Sequence, residues 1–207
     1  MGSDPPSRVA ALVLAAGRSR RMGAANKLLL SLGGKPMIER VVENIGAAAL
    51  SEIIVVTGHD RERVETALQD RSVRFEFNPD YAAGLSTSLR AGLRALQDTD
   101  GVLVCLADMP KVNKIHIDRL LTTFDSIPRH SICVPSYAGE RGNPVLWPQR
   151  CFAEIGQLTG DVGAKELLER HKSTVRDVPM PDSGVLFDID TPREVDAARR
   201  RVIAFSD

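Results

Sequence analysis

A chain of 207 residues, 43% hydrophobic, with 27 Lys+Arg against 27 Asp+Glu, has the length for one α/β domain and ample core. Its balanced charge argues against a nucleic-acid binder, which carries a basic excess. No apolar stretch reaches the length that spans a membrane, so no membrane association is expected. Cys105, Cys133 and Cys151 are scattered, without metal-ligand spacing, and read as small buried hydrophobes of a reducing, cytoplasmic compartment. A single domain over 1–207 is expected. The opening MGSDPPSR has no apolar signal core, and residues 1–7 read as a disordered tail.

Apolar runs alternate with helical periodicity along the chain. Val9 to Ala16 predicts a buried strand. Pro36 opens an amphipathic helix to about Ala49, with Met37, Val41 and Ile45 on one face. Ile53 to Thr57 predicts a strand, Arg61 to Leu68 a helix, and Val73 to Phe77 a strand ended by Asn78-Pro79. Gly84 to Leu96 predicts a helix and Gly101 to Leu106 a fourth strand. This order favours a parallel sheet with helices on both faces and ligands at the carboxyl ends of its strands. Beyond Asp108 the pattern loosens. Helices are expected at Ile115 to Phe124, Cys151 to Gly156, Val162 to His171 and Thr191 to Ala204. Strands are expected at Ser131 to Pro135, Pro144 to Trp147 (short, with an antiparallel option), Thr174 to Val178 and Val185 to Phe187.

The stretch from Leu12 to Leu30, LVLAAGRSRRMGAANKLLL, carries the most chemistry. A buried strand ends at Leu14, and Ala15, Ala16 and Gly17 let backbone N–H groups approach an anion closely. Arg18, Arg20, Arg21 and Lys27 then supply positive charge. The stretch is neither a Walker loop, since Met22-Gly23-Ala24 stands where Gly-Lys-Ser/Thr would be needed, nor a GxGxxG turn. A strand-to-helix turn with a solvated basic tail is the bland alternative, and Lys27 is expected to be an exposed loop lysine that does little for folding.

Asp108, in CLADMP, follows a buried strand and precedes the next helix by several residues, so a hard-oxygen Mg²⁺ ligand is favoured over a helix cap. In FDIDTPREVD, Asp188 and Asp190 fall on one side of an extended segment. Asp190 stands open between a metal ligand and part of a helix start at Thr191-Pro192. Gly84 to Leu89 offers hydroxyls, including Ser86 and Ser88, at a helix N-terminus, suited either to capping or to a nucleotide. Arg141-Gly142-Asn143 and the loop holding Asp161 and Gly163 are either surface turns or an acceptor pocket. The four histidines, His59, His116, His130 and His171, show no catalytic or metal pairing and are expected at the surface.

The opening motif resembles the LAAGxGxRM…K signature of sugar-phosphate-type nucleotidyltransferases. Together with NPDYAAGLSTSL, LADMP, RGNPVLWP, LTGDVGAKELL and DIDTP, it resembles the molybdenum-cofactor nucleotidyltransferases over nearly the whole chain, particularly their cytidylyl branch. The resemblance implies a Rossmann-like, doubly wound, mostly parallel mixed sheet with one antiparallel strand. It implies CMP transfer from CTP to the terminal phosphate of molybdenum cofactor, with release of pyrophosphate. By that resemblance Leu14, Ala15, Ala16, Gly17, Arg18, Lys27, Gly84, Ser86 and Ser88 would bind nucleotide. Arg21, Lys27 and Asp108 would act in catalysis, and Asp108 and Asp190 would hold Mg²⁺. Arg141, Gly142, Asn143, Asp161 and Gly163 would meet the acceptor. Guanylyl members read LAGG where this chain has Ala16, which favours CTP over GTP. Asn143 departs from the histidine frequent at that place in the family. A sugar- or polyol-phosphate acceptor, and a non-catalytic carrier serving an apo molybdenum hydroxylase, remain alternatives. The carrier would be expected to lack the charged loop or Asp108.

Overall fold

The computed structural model describes residues 5–18, 26–127, 131–191 and 194. Arg20, Arg21, His130 and the body of the helix expected at Thr191 to Ala204 lie outside the described residues. So do residues 1–4 of the expected tail, whereas the Ser7 N–H donates to Asp125 Oδ1 at 2.9 Å.

Strand β1 (Val9–Leu14) is buried along its whole length because both of its faces are covered. Val9, Ala11 and Val13 pack into one apolar cluster, while Leu12 and Leu14 pack into another. This follows from the two-residue period of a strand and makes β1 the central wall. After a hairpin of β2 (Ser31–Leu32) and β3 (Lys35–Pro36), helix α1 (Met37–Gly46) follows. Pro36 sits at its N-cap, and Met37, Ile38, Val41, Val42 and Ile45 form its buried stripe. Then come β4 (Ile53–Thr57), α2 (Arg61–Ala67), β5 (Arg74–Phe77), α3 (Leu85–Ala95) and β6 (Gly101–Leu106). Helices α1 and α2 bury residues on the face of Val13, and α3 on the face of Leu12.

The second half holds α4 (Lys114–Ser126), β7 (Ile132–Tyr137), β8 (Glu140–Arg141), β9 (Val145–Pro148), α5 (Phe152–Ile155), α6 (Leu167–Arg170) and β10 (Val175–Pro179). The sheet order is β10-β7-β9-β6-β1-β4-β5, with β8 paired to β7. Pairs β1–β4, β1–β6, β4–β5 and β7–β10 are parallel, and β9 runs antiparallel to both β6 and β7. This is the α/β, doubly wound, mostly parallel mixed sheet expected. Among the described residues no helix is long and apolar enough to cross a membrane.

Two expectations are corrected. Val185 to Phe187 is not a strand. Residues Ser183–Leu186 form a 3₁₀ turn, started by Asp182, whose side chain accepts from the Gly184 N–H. With no strand there, Asp188 and Asp190 do not share a strand face; Asp188 is exposed and Asp190 half-buried. Nor is His116 a surface residue, since it is fully buried. Its ring accepts from the Asn113 N–H in the capping box that starts α4, and its other nitrogen lies 3.2 Å from Asp182. All three cysteines are free and buried, as expected.

Candidate active site

The carboxyl ends of β1 and β6 lie side by side, with Leu14 in register with Leu106. The chain leaves each through small residues. Beyond β1, the Ala15 N–H still donates to Val56, and the Ala16 carbonyl accepts from His59. The N–H groups of Gly17 and Arg18 have no acceptor among the described residues. Beyond β6 stands Asp108. These ends open on a cavity of about 800 Å³, whose lining includes Leu14, Ala16, Gly17, Arg18, Lys27 and Asp108.

Three charged side chains meet in this cavity. Lys27 begins a short 3₁₀ turn capped by Asn26, whose side chain accepts from the Leu28 N–H. With Leu28 buried as an anchor, Lys27 turns inward. Its Nζ donates to Asp108 Oδ2 at 2.6 Å and to Asp190 Oδ1 at 2.7 Å. Its side chain is 14% exposed, so the expectation of an exposed loop lysine is corrected. Burial by itself would lower the Lys27 pKa. The charge of Asp108, then hydrogen bonds to Asp108 and Asp190 and the charge of Asp190, outweigh burial and raise it.

Asp190 arrives by a route that local sequence does not fix. The Ile189 N–H donates to the Asp108 carbonyl at 3.0 Å, which pins the 188–190 segment against the turn after β6. The two readings of TPRE then divide between neighbours. The Thr191 N–H donates to Glu194 Oε2 and the Glu194 N–H to Thr191 Oγ1, a reciprocal capping pair. Asp190 is left to face Lys27. The backbone N–H groups of Asp190 and Thr191 hold the Glu194 carboxyl below its ordinary range.

Hard carboxylate oxygens suit Mg²⁺, and one observation bears on the fit. Asp108 Oδ1 is buried and has no hydrogen-bond partner among the described residues, an orphaned acceptor. Among the described residues no group of three His, Cys, Asp or Glu side chains could hold a metal. Two carboxylates leave the remaining positions to phosphate and water, which is how Mg²⁺ is commonly held beside nucleotides. The residues fit.

The remaining predicted site residues divide. Gly84, Ser88 and Asp161 line the large cavity with Tyr81. Ala15 and Ser86 do not. Ser86 Oγ donates to the Gly160 carbonyl at 2.7 Å, and the Leu85 N–H donates to Asp161 Oδ1 at 3.3 Å. The start of α3 and the 160–161 loop are thus one unit. Gly84 makes this possible, since at φ 116° a Cβ there would lie 2.4 Å from Gly160. Ser88 accepts from Asn78 Nδ2 at 3.0 Å.

Asn143 and Gly163 line a second, apolar slot of about 120 Å³ with Leu89, Val145, Trp147 and Lys165. Leu14, Leu85 and Leu106 border both cavities. Gly142 is buried against Val185, and the Asn143 N–H donates to the Val185 carbonyl at 2.9 Å. Arg141 is not brought to either cavity. Its guanidinium forks onto Asp177 of β10 at 2.7 and 3.1 Å. Tyr81, Trp147 and Lys165 were given no role from sequence. NPDYAAGL, RGNPVLWP and GDVGAK flagged the three segments, but nothing local in the chain says that those side chains face a cavity.

A family profile described as the MobA-like NTP transferase domain matches residues 11–175. The chain belongs to this family. This chain is a nucleotidyltransferase. It is 32% identical over 202 residues to the purine catabolism protein PucB of Bacillus subtilis, covering 90% of this chain and 94% of that one. It is 25% identical to the nicotine blue oxidoreductase of Paenarthrobacter nicotinovorans (94% and 98% covered). It is 29% identical to the molybdenum cofactor cytidylyltransferase of Escherichia coli (94% and 97% covered). A crystal structure of an Rv0371c homologue from Mycobacterium sp. strain JC1 superposes with a TM-score of 0.85 at 25% identity, covering 97% of this chain and all of the other.

Proposed function

We propose that this MobA-like nucleotidyltransferase transfers CMP from CTP to the terminal phosphate of molybdenum cofactor and releases pyrophosphate. The observation that carries the reading is the convergence of Lys27, Asp108 and Asp190 beside the small-residue turn at Gly17, at the carboxyl end of the central strand. The full-length likeness to the E. coli cytidylyltransferase supports the acceptor. The choice of base rests on Ala16. A Cβ built on Gly58 would lie 2.7 Å from both Ala16 Cβ and Tyr81 Cβ, so the Ala16 methyl and Tyr81 close in on Gly58 beside the cavity that Ala16 and Tyr81 both line. That narrow floor favours the smaller pyrimidine.

In this reading a phosphate oxygen of the acceptor attacks the α-phosphorus in line with departing pyrophosphate. The nucleophile is already ionised, so no protein base and no covalent enzyme intermediate are needed. The Gly17 and Arg18 N–H groups and the Arg18 guanidinium hold the phosphates. Lys27 neutralises charge on the leaving pyrophosphate, and Arg21 is assigned the same work from the sequence motif. Mg²⁺ held by Asp108 and Asp190 would supply further charge neutralisation there. The start of α3 and Tyr81 frame the nucleoside, and Asn143, Asp161 and Gly163 face the acceptor. Buried free cysteines support a reducing compartment, the cytoplasm, and delivery to an apo molybdenum hydroxylase is the expected next step.

The test is pyrophosphate release with each NTP, with and without molybdenum cofactor, in Mg²⁺. CTP with cofactor should give the highest kcat/KM. Equal or better use of GTP sinks the cytidylyl assignment. Turnover only with a sugar or polyol phosphate moves the acceptor, and no pyrophosphate with any acceptor leaves a carrier.

A further inference from the structure

The ammonium of Lys27 sits on the same two carboxylates that a divalent cation needs. It is 2.6 Å from Asp108 Oδ2 and 2.7 Å from Asp190 Oδ1, inside the cavity and mostly shielded from water. A divalent cation on those oxygens would stand within contact distance of a like charge, where low exposure weakens screening. The ion and the ammonium therefore cannot share the pair. Asp108 Oδ1, buried and without a donor among the described residues, shows that Lys27 leaves part of the carboxylate unsatisfied. The site retains an unmet demand for positive charge while Lys27 occupies one oxygen of each carboxylate.

A polyphosphate changes this balance. It brings several negative charges into the cavity beside Gly17 and Arg18, within the reach of a lysine side chain that pivots at Lys27. The ammonium then has a second anionic partner, and the carboxylates are released to a cation that the phosphates also bind. We propose that Lys27 is a built-in counter-ion that holds the divalent-cation site shut until a polyphosphate draws its ammonium away, so that metal and nucleotide enter as a coupled pair. The proposal rests on the reading of Asp108 and Asp190 as the cation ligands. Because coupling is reciprocal, each ligand strengthens the other by the same factor. The device keeps the site from filling with a bare cation.

The prediction runs against the usual effect of deleting a binding-site residue. Lys27→Met should bind Mn²⁺ in the absence of nucleotide at least about tenfold more tightly than the wild-type chain, as read by the electron-spin signal of free Mn²⁺. Lys27→Gln, which keeps a polar head, should show the same gain if the methionine variant folds poorly. Mn²⁺ should also raise the Tm of the variant more than that of wild type, since a ligand of the native state stabilises by mass action. Arg18→Met removes a positive charge from the same cavity without touching either carboxylate. A gain there equal to that of Lys27→Met would show a general charge effect and overturn the proposal. Adding Asp108→Asn to Lys27→Met should abolish the gain. Persistence of the gain would place the ion elsewhere and overturn the proposal too, as would Mn²⁺ affinity in Lys27→Met no higher than in wild type. All arms read cation binding alone, so a chain that released no pyrophosphate would lose the proposed function and leave this exchange standing.

Discussion

The two cavities at the carboxyl edge of the sheet share three leucines and little else. The larger, about 800 Å³, is lined by the loops after β1 and β6 and holds Lys27, Asp108, Asp190, Arg18 and Asp161. The smaller, about 120 Å³, is walled by core residues of α3, β6 and β9, among them Leu89, Val104, Val145 and Trp147. Charged groups in the first are set by backbone contacts and lie off the packed core. Apolar groups in the second are the core itself. Damage to the first should therefore appear in chemistry, and damage to the second in stability.

Asp108→Asn is the strongest way to break that contrast. The substitution keeps shape and hydrogen-bonding capacity and removes the charge that would hold Mg²⁺. Turnover should fall about a thousandfold, about 4 kcal/mol, with excess Mg²⁺ restoring only part. Tm should fall only modestly, since Lys27 keeps Asp190 as a partner, and cofactor binding, followed by its absorbance, should persist. A folded variant with wild-type kinetics would reduce Asp108 to a structural carboxylate.

Leu89→Ala tests the other side. Leu89 is 1% exposed and lines the slot from α3. Its truncation should cost about 3 kcal/mol in denaturant unfolding through lost burial and an enlarged cavity. Residual activity of the folded fraction should stay within a few fold. If stability held while KM for the acceptor rose steeply, the slot would belong to the site more than to the core.

Lys27→Ala sits between the two. It should lower kcat/KM for the nucleotide at least tenfold, about 1.4 kcal/mol or more. The side chain is buried between two carboxylates, so its loss should also lower Tm measurably, unlike the loss of a solvated lysine. Unchanged kinetics would mean that the lysine serves the fold alone.

The smallest effect concerns pH, at a group that lines neither cavity. Burial pushes the His116 pKa below its ordinary 6.5, against the raising influence of Asp182 and with a small lowering from Arg119. The unfolded chain then takes up this proton more readily than the folded one. The contribution is intact above pH 6.5 and is lost as pH falls from there through the lowered folded value. Chemical unfolding of His116→Gln against wild type between pH 7.5 and 5 should show a shallower decline in the variant. Parallel curves would show that His116 carries no proton-linked stability.

Much of the first half of the fold was legible in the chain. Ile53–Thr57 and Gly101–Leu106 read as strands with the bounds found, because continuous apolar runs of that length are buried only in a sheet covered on both faces. The turn at Ala15 to Gly17 and the carboxylate of Asp108 were also legible, since both follow directly from strand ends. After Asp108 the pattern carried less. The segment at Val185 has the apolar composition of a strand but spends its backbone on a 3₁₀ turn, with the Val185 carbonyl taken by Asn143. Arg141 looked like an anion ligand, yet Asp177 of β10, on the far side of β7, claims it.

The sequence by itself determined the alternating helix and strand order, the small-residue turn after β1, the charges available to the site and the helix start at Thr191-Pro192, all of them features of local spacing. Tertiary structure decided which charges meet. Lys27 and Asp108 are 81 residues apart, and Lys27 and Asp190 are 163 apart. No local rule joins them. Parallel pairing of β1 with β6 and the Ile189-to-Asp108 backbone bond bring them together, because only the folded sheet fixes which strand ends are neighbours.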